Sequence, residues 1–326
     1  MNNSSTSMNP DGGDAAWRAD IKPALDNLMG RILERDNVQR AWERVKSNKG
    51  APGSDGMTLE AFPAYAREHW HEVRQSLMDG NYQPRPVRRV VIPKPKGKGA
   101  RKLGVPCVVD RVIQQAILQV LTPIFDPGFS ESSYGSRPKR SAHGAIRQVK
   151  TFVKAGHRYA VDLDLEKFFD TVNHDVLMSR IARKVTDKVL LRLIGCYLRA
   201  GVLVEGTVEP TEWGTPQGSP LSPLLSNILL DDLDKELAAR GHRFTRYRDD
   251  LVILVKSRRA GRRVMAGISR YLTQTLKLKV NREKSRVVRI EDLEYLGFTF
   301  RGIRIFASHQ AIQDFKYSGL QVHEGQ

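Results

Sequence analysis

Two aspartates, Asp249 and Asp250, stand side by side in the tetrapeptide Tyr247-Arg248-Asp249-Asp250, between Phe244-Thr245-Arg246 and the apolar run Leu251 to Val255. Such flanks predict two short strands with the acids at the tip of their hairpin. Adjacent carboxylates repel each other, and a neighbouring core strips their hydration, so the pair is costly to fold alone. A divalent cation removes both penalties. Mg²⁺ takes carboxylate oxygens, and two such ions about 3.5–4 Å apart stabilise the attacking and leaving oxygens of a phosphoryl transfer. One hairpin does not easily hold two ions, so a third carboxylate is expected from an adjacent strand. The segment Tyr159 to Leu165 alternates with period two and puts Asp162 and Asp164 on one face. Asp164 is the natural candidate and Asp162 its rival. The plain alternative for Asp249 and Asp250 is an Asp-rich turn, as hairpin tips often are. Asp231, Asp232 and Asp234 lie on a leucine-lined helix and read as its solvated face.

The elements that must position these acids follow from periodicity and breakers. A helix is expected from Ala15 to about Leu33, and a second after Asp36 as N-cap, ending at Asn48 to Gly50. Gly50 to Gly56 is too rich in Gly and Pro for helix, and another helix runs from about Leu59 to Met78. Between Arg85 and Lys102 there are eight basic residues and no acid, flanking Val90-Val91-Ile92 and a Pro- and Gly-rich tip: a hairpin with a basic loop. Val112, Ile113, Ala116, Ile117, Val120 and Leu121 recur at helical spacing, with Asp110 as cap and Thr122-Pro123 as stop. Pro216 to Pro223 reads as a loop. Ser222-Pro223 opens a helix with Leu225, Leu229, Leu233 and Leu237 at i, i+4, closed by Gly241. A helix from about Arg258 to Leu276 and a last strand near Tyr295 to Phe300 follow. This order predicts an α+β fold with an antiparallel sheet.

Composition narrows the partners. The 326 residues carry 53 Lys and Arg against 36 Asp and Glu, a net charge of +17. An excess of that size points to a polyanion, nucleic acid first, with a solubilising surface as the plain alternative. No run of 18 apolar residues appears, so no membrane partner is expected. The first fourteen residues read as a disordered leader without a secretion signal. Cys107 and Cys196 are far apart and outside any CxxC motif or His cluster, so neither zinc nor a disulfide framework is expected and the cytoplasm is the default location.

Taken in order, several blocks resemble the reverse transcriptases encoded by bacterial group II introns. They are Asn48 to Gly56; Ile92-Pro93-Lys94; Arg101 to Pro106; Asp110 to Ala116; Ser133 to Pro138 with His143-Gly144-Ala145; Asp162 to His174; Thr215 to Pro223; the Tyr247 tetrapeptide; and Leu296-Gly297-Phe298. Each block alone is weak, while the ordered set is specific. The resemblance implies a right-hand polymerase with fingers and a palm of ferredoxin-like topology. The expected organisation is a leader over 1–14, an N-terminal extension and fingers over 15–157, and a palm over 158–300. The palm carries a fingers-associated helical insertion at about 175–212, and a short tail occupies 301–326.

The resemblance also chooses among the acids. The family's metal-binding Asp precedes an aromatic residue by five positions, which gives Asp164 and Phe169 here, so the catalytic and metal-binding set becomes Asp164, Asp249 and Asp250. It implies two Mg²⁺ ions, with Mn²⁺ as a substitute, and an RNA template, a DNA or RNA primer, dNTPs and intron RNA as partners. Phe169 would lie under the nucleotide sugar and exclude a 2′-hydroxyl. Gln217 would contact the nucleotide near that sugar, and Lys94 and Arg101 would reach the triphosphate. Arg137, Lys139, Arg140, Gly218, Tyr247 and Arg248 are expected along the nucleic acid, where backbone contacts give affinity without sequence preference.

Two features depart from the pattern. Arg248 stands where the family has Ala; its bulk would obstruct the primer terminus, pair with a phosphate, or compete with metal for the carboxylates, so reduced or altered polymerase activity is expected. Only about 26 residues follow Phe300, so a full thumb or maturase domain is not expected within the chain, and weak template–primer grip follows. A non-catalytic RNA-binding splicing factor and an accessory reverse transcriptase of a defence or CRISPR-associated system are the rival readings.

Overall fold

The computed structural model describes residues 27–93, 100–204, 206–210, 213–215, 218–309 and 311–312, with only the backbone of Pro93 and Arg101. The leader, most of the first expected helix, Lys94, Gln217 and most of the tail therefore lie outside the described residues.

The described residues open with the helices α1 (Leu28–Ile32), α2 (Arg35–Ser47) and α3 (Phe62–Met78), then the hairpin β1 (Val87–Pro93) and β2 (Ala100–Val105), then α4 (Val108–Phe125). Asp36 does not cap α2 but sits in its first turn, where a carboxylate suits the positive end of the helix dipole. Pro123 does not stop α4 either. The helix continues to Phe125, whose burial at 3 % exposure outweighs the proline's preference for ending it. By length and composition Val108–Gly128 would pass for a membrane span, yet 67 % of it is buried inside the fold, as in a core helix. Asp110 was expected as its cap. It is instead buried within the first turn, accepting hydrogen bonds from Tyr82 Oη (2.9 Å), Tyr197 Oη (3.2 Å) and the Arg85 amide (3.3 Å). Burial still pushes its carboxyl up to about 6. The glycine-rich 50–56 turn packs tightly here, since a Cβ on Gly53 would fall 2.5 Å from Cys107 Cα.

The second half follows a βαββαβ path. After α5 (Ala142–Lys154) come β3 (Tyr159–Leu163), α6 (Phe168–Thr171), α7 (His174–Ile181), α8 (Lys188–Leu198), β4 (Val202–Val204) and β5 (Thr207–Glu209). Then come α9 (Ser222–Ala239), β6 (Arg243–Tyr247), β7 (Asp250–Val255), α10 (Arg258–Gln274) and β8 (Arg286–Arg289). The four long-range strands lie in the order β6-β7-β3-β8, every pair antiparallel. That is the ferredoxin-like arrangement, with α9 and α10 as the crossing helices. A second sheet, β2-β1-β4-β5, joins the first hairpin to the 202–209 hairpin through a parallel β1–β4 contact. Where one last strand was expected, the chain forms a small sheet of β9 (Glu294–Tyr295), β10 (Phe298–Arg301) and β11 (Arg304–Ala307), turned at Leu296-Gly297, both with positive φ.

Both faces of the palm sheet are covered, which is why Leu251 to Val255 is apolar without alternation. Val161, Leu163, Leu251 and Ile253 join one large core with α9, α10 and the N-terminal helices. Ala160, Val252 and Leu254 point the other way, onto Val149 and Phe152 of α5 and onto Tyr295 and Phe300. By the period of two, Asp162, Asp164 and Asp250 share this second face.

Candidate active site

The palm sheet brings the acids together at one end. In the β3–β7 ladder Leu163 pairs with Leu251, so the same register continued by one residue sets Asp164 opposite Asp250. The main chain at Asp164 is fixed by three hydrogen bonds: its amide donates to Ser285 Oγ (3.0 Å), and its carbonyl accepts from the Asn281 amide (2.9 Å) and from Ser285 Oγ (3.4 Å). Asp164 and Asp249 line one cleft of about 1440 Å³ together with Lys102, Phe169, Arg270 and Lys284. Lys284 Nζ stands 4.0 Å from Asp164 Oδ2 and does not saturate it, the Asp164 side chain being 38 % exposed.

The electrostatics are those of an unrelieved anionic site. Asp249 is held above the usual carboxylate range, chiefly by burial and further by the Asp164 charge. Asp250 keeps an exposed edge, yet the protein packed around it, then Asp249, Asp164 and Asp162, push it up to about 6. A divalent cation would relieve that repulsion, and the donor set is all oxygen, as Mg²⁺ or Mn²⁺ prefers. Among the described residues no three acidic, His or Cys side chains are already drawn into a closed ligand group. The rival acid is engaged elsewhere: Asp162 accepts from Arg286 Nε at 3.1 Å, directly across the β3–β8 ladder.

The turn carrying Asp249 is built in a way the sequence reading missed. Arg248 has a left-handed backbone (φ 59°), and its guanidinium donates to Ser136 Oγ (2.9 Å) while resting 5.8 Å from the Tyr247 ring centroid. Among the described residues it forms no ion pair with Asp249 or Asp250. Beneath it Arg246, with no exposed surface, forks to both oxygens of Asp234, at 2.8 and 2.6 Å. Asp234 is thus buried in an ion pair rather than solvated as expected. Asp232 bonds Arg180 and Arg183 and is equally no bystander. The signal for Asp234 was present: it falls four residues after Leu230 and three before Leu237, on the core-facing stripe of α9.

Other expected residues divide. Phe169 is half-buried, set edge-on to buried Phe168 at 5.2 Å, and lines the cleft. Its carbonyl accepts from the Thr215 amide (2.6 Å), and a Cβ on Gly214 (φ 91°) would lie 2.5 Å from that oxygen. His174 Nε2 reinforces the contact at 2.6 Å from the Gly214 carbonyl. Gly218 (φ 105°) lies against β2, where a Cβ on it would stand 3.1 Å from the Gly104 carbonyl. Lys139 is exposed and Tyr247 half-buried.

Arg137 overturns its expectation. Its side chain is 4 % exposed and donates to Asp126 Oδ1 and to the carbonyls of Asp126, Ser130 and Ser133, at 2.6–3.0 Å. A guanidinium consumed this way braces the 126–137 segment and has no free edge for a template phosphate. Arg140 is also engaged, with Glu131 and over the Tyr134 ring. Lys94 and Gln217, and the Arg101 side chain, lie outside the described residues.

Known proteins bear on this geometry. Residues 92–300 match the family described as reverse transcriptase (RNA-dependent DNA polymerase). Protein YkfC of Escherichia coli is 33 % identical over 332 residues, covering 89 % of this chain and 86 % of YkfC. The group II intron-encoded protein LtrA of Lactococcus lactis is 38 % identical over 215 residues, 66 % of this chain but only 36 % of LtrA. Among solved structures, apo telomerase from Candida tropicalis truncated from its C-terminal domain superposes with a TM-score of 0.52 at 18 % identity, over 73 % of this chain and 60 % of that one. That likeness speaks for the right-hand polymerase fold alone. The carboxylates gathered at one end of the sheet, the strand order and the sequence match agree, and the chain belongs to the reverse transcriptase family, alongside the group II intron-encoded proteins.

Proposed function

We propose that the cleft between Asp164 and Asp249 is where this reverse transcriptase adds a dNTP to a primer 3′-hydroxyl on an RNA template, with two Mg²⁺ ions and Mn²⁺ as a substitute. One observation carries the reading: Asp164, just past β3, and Asp249, in the turn before β7, line the same cleft, and the Asp164 charge helps hold Asp249 above the usual carboxylate range. In the step the primer 3′-oxygen forms a bond to the α-phosphorus, the α–β bridging P–O bond breaks, pyrophosphate leaves and the hydroxyl proton passes to solvent. Bound Mg²⁺ supplies Lewis-acid charge to the attacking and leaving oxygens.

The chain's own residues position and exclude. Asp164, Asp249 and Asp250 present ligand oxygens from a rigid sheet end, which costs no reorganisation during reaction. Phe169 walls the cleft where a nucleotide sugar would rest and selects dNTP over rNTP. Lys94, Arg101 and Gln217 would complete the nucleotide site, and Lys139 and Arg248 offer exposed cations to the nucleic-acid backbone. By the resemblance to the reverse transcriptases encoded by group II introns, the work would serve splicing and mobility of an intron RNA in the cytoplasm.

The direct test is primer extension by the whole chain on an RNA template with dNTPs, with Mg²⁺ present and then chelated. Template-directed extension that stops on chelation is expected; extension indifferent to chelation, or none under Mg²⁺ or Mn²⁺ by folded protein, overturns the reading.

A further inference from the structure

We infer that Arg246 is a positioning residue of the catalytic turn, acting as a buried strut that sets where Asp249 and Asp250 stand. All five of its N–H donors are used. Nε and Nη2 fork to Asp234 (2.8 and 2.6 Å); Nη2 also reaches Ser133 Oγ (2.9 Å); Nη1 reaches Asn227 Oδ1 (3.0 Å) and the Arg248 carbonyl (2.8 Å). That last bond is the one that bears on function. The Arg248 carbonyl belongs to the peptide unit leading into Asp249, so the guanidinium grips the turn directly, one residue from the carboxylate.

The strut is anchored on three sides. Asp234 and Asn227 belong to α9, which cannot shift without uncovering the leucine core. The 132–136 segment runs beside β6: the Arg246 amide donates to Ser132 O (2.9 Å) and the Tyr134 amide to Arg246 O (2.8 Å). Asn227 closes the ring by donating to Gly135 O (2.9 Å). A planar, always-charged fork is what such a five-bond cage needs, and a lysine ammonium cannot replace it.

Burying an ion pair is weak evidence of a stabilising role, since apolar replacement of both partners is often neutral or better for stability. A merely structural pair and a positioning strut therefore predict different things, which makes the inference testable. It rests on the polymerase reading for its kinetic arm only. Arg246→Lys and the double variant Arg246→Met with Asp234→Leu would be compared with the natural chain by thermal melting, primer extension, template–primer binding and Mn²⁺ binding followed by electron paramagnetic resonance. Expected is a double variant that folds and binds template–primer normally, melting lower because Ser133 Oγ, Asn227 Oδ1 and the Arg248 carbonyl lose their buried donor, with kcat down about a hundredfold, the loss typical of a misplacement near 1 Å. Mn²⁺ affinity should fall alongside, an outcome readable even if the natural chain extends no primer. Ser133→Ala, which removes a single acceptor, keeps the question open to measurement if larger changes prevent folding, and should give a smaller fall in kcat and Mn²⁺ affinity. Natural kcat and Mn²⁺ affinity in a folded double variant, or a Ser133→Ala chain that matches the natural one in both, would overturn the inference.

Discussion

Replacing Gly135 by Ala should disable the catalytic turn while sparing most of the fold. A Cβ at that position would lie 2.3 Å from the Arg248 amide nitrogen, 2.7 Å from Arg248 Cγ and 2.9 Å from the Tyr247 carbonyl carbon. Comfortable contact between heavy atoms needs about 3.5 Å, so something must move by about 1 Å. The nearest obstacle is backbone, and Gly135 cannot retreat, because its carbonyl is held by Asn227 and the neighbouring Tyr134 amide by Arg246. The 247–249 turn moves instead, carrying Asp249 with it. A displacement near 1 Å at a reacting centre costs about a hundredfold in rate, while overpacking costs about 1–3 kcal/mol of stability. Single-turnover extension of a bound primer, with a thermal melt alongside, separates the two effects. Natural extension rates in Gly135→Ala would refute the claim that this contact fixes the turn.

Three further outcomes follow from the site. Arg137→Ala should lower stability by about 1–3 kcal/mol, through its bonds to the partly exposed Asp126 and to the loop carbonyls, and leave the salt dependence of RNA binding unchanged; a shallower salt slope at intact stability would restore the template contact first expected of it. Arg248→Ala should weaken template–primer binding and reduce its salt slope by about one phosphate contact with kcat retained; a sharp rise in kcat would mean that Arg248 obstructs the site. Asp250 titrates near 6 in the folded chain against an ordinary 3.8, so the folded state binds more protons between those values and metal-free stability falls as pH rises through that window. Divalent cations need the ionised form, so their increment in melting temperature should be full well above pH 6 and fade toward pH 4; an increment unchanged across that window would contradict the assignment.

Much of this was legible in the residues. Apolar flanks placed Asp249 and Asp250 between paired strands, and the Pro- and Gly-rich tip placed a basic hairpin around Val90-Val91-Ile92, where Val87–Pro93 pairs with Ala100–Val105. Choosing Asp164 over Asp162 needed the family pattern, because the period of two puts both on one face; in three dimensions Arg286, from a strand more than a hundred residues away, pairs with Asp162. Long-range pairing explains the misses as well. Arg137 and Asp110 look like surface charge and helix cap until Asp126 and the two tyrosines close on them. Pro123 looks like a stop because local preference is visible and the burial of Phe125 is not. Asp234 was misread against an available signal, since counting the apolar stripe through Leu230 and Leu237 puts it toward the core.

The central claim is that Asp164 and Asp249, and not Asp162, hold the catalytic metal. The measurement that tests it most directly is Mg²⁺-dependent primer extension on an RNA template by Asp162→Asn, Asp164→Asn and Asp249→Asn, each confirmed folded by its melt. Extension should persist in Asp162→Asn and vanish in the other two. Extension surviving in either Asp164→Asn or Asp249→Asn, or lost in Asp162→Asn alone, would contradict it.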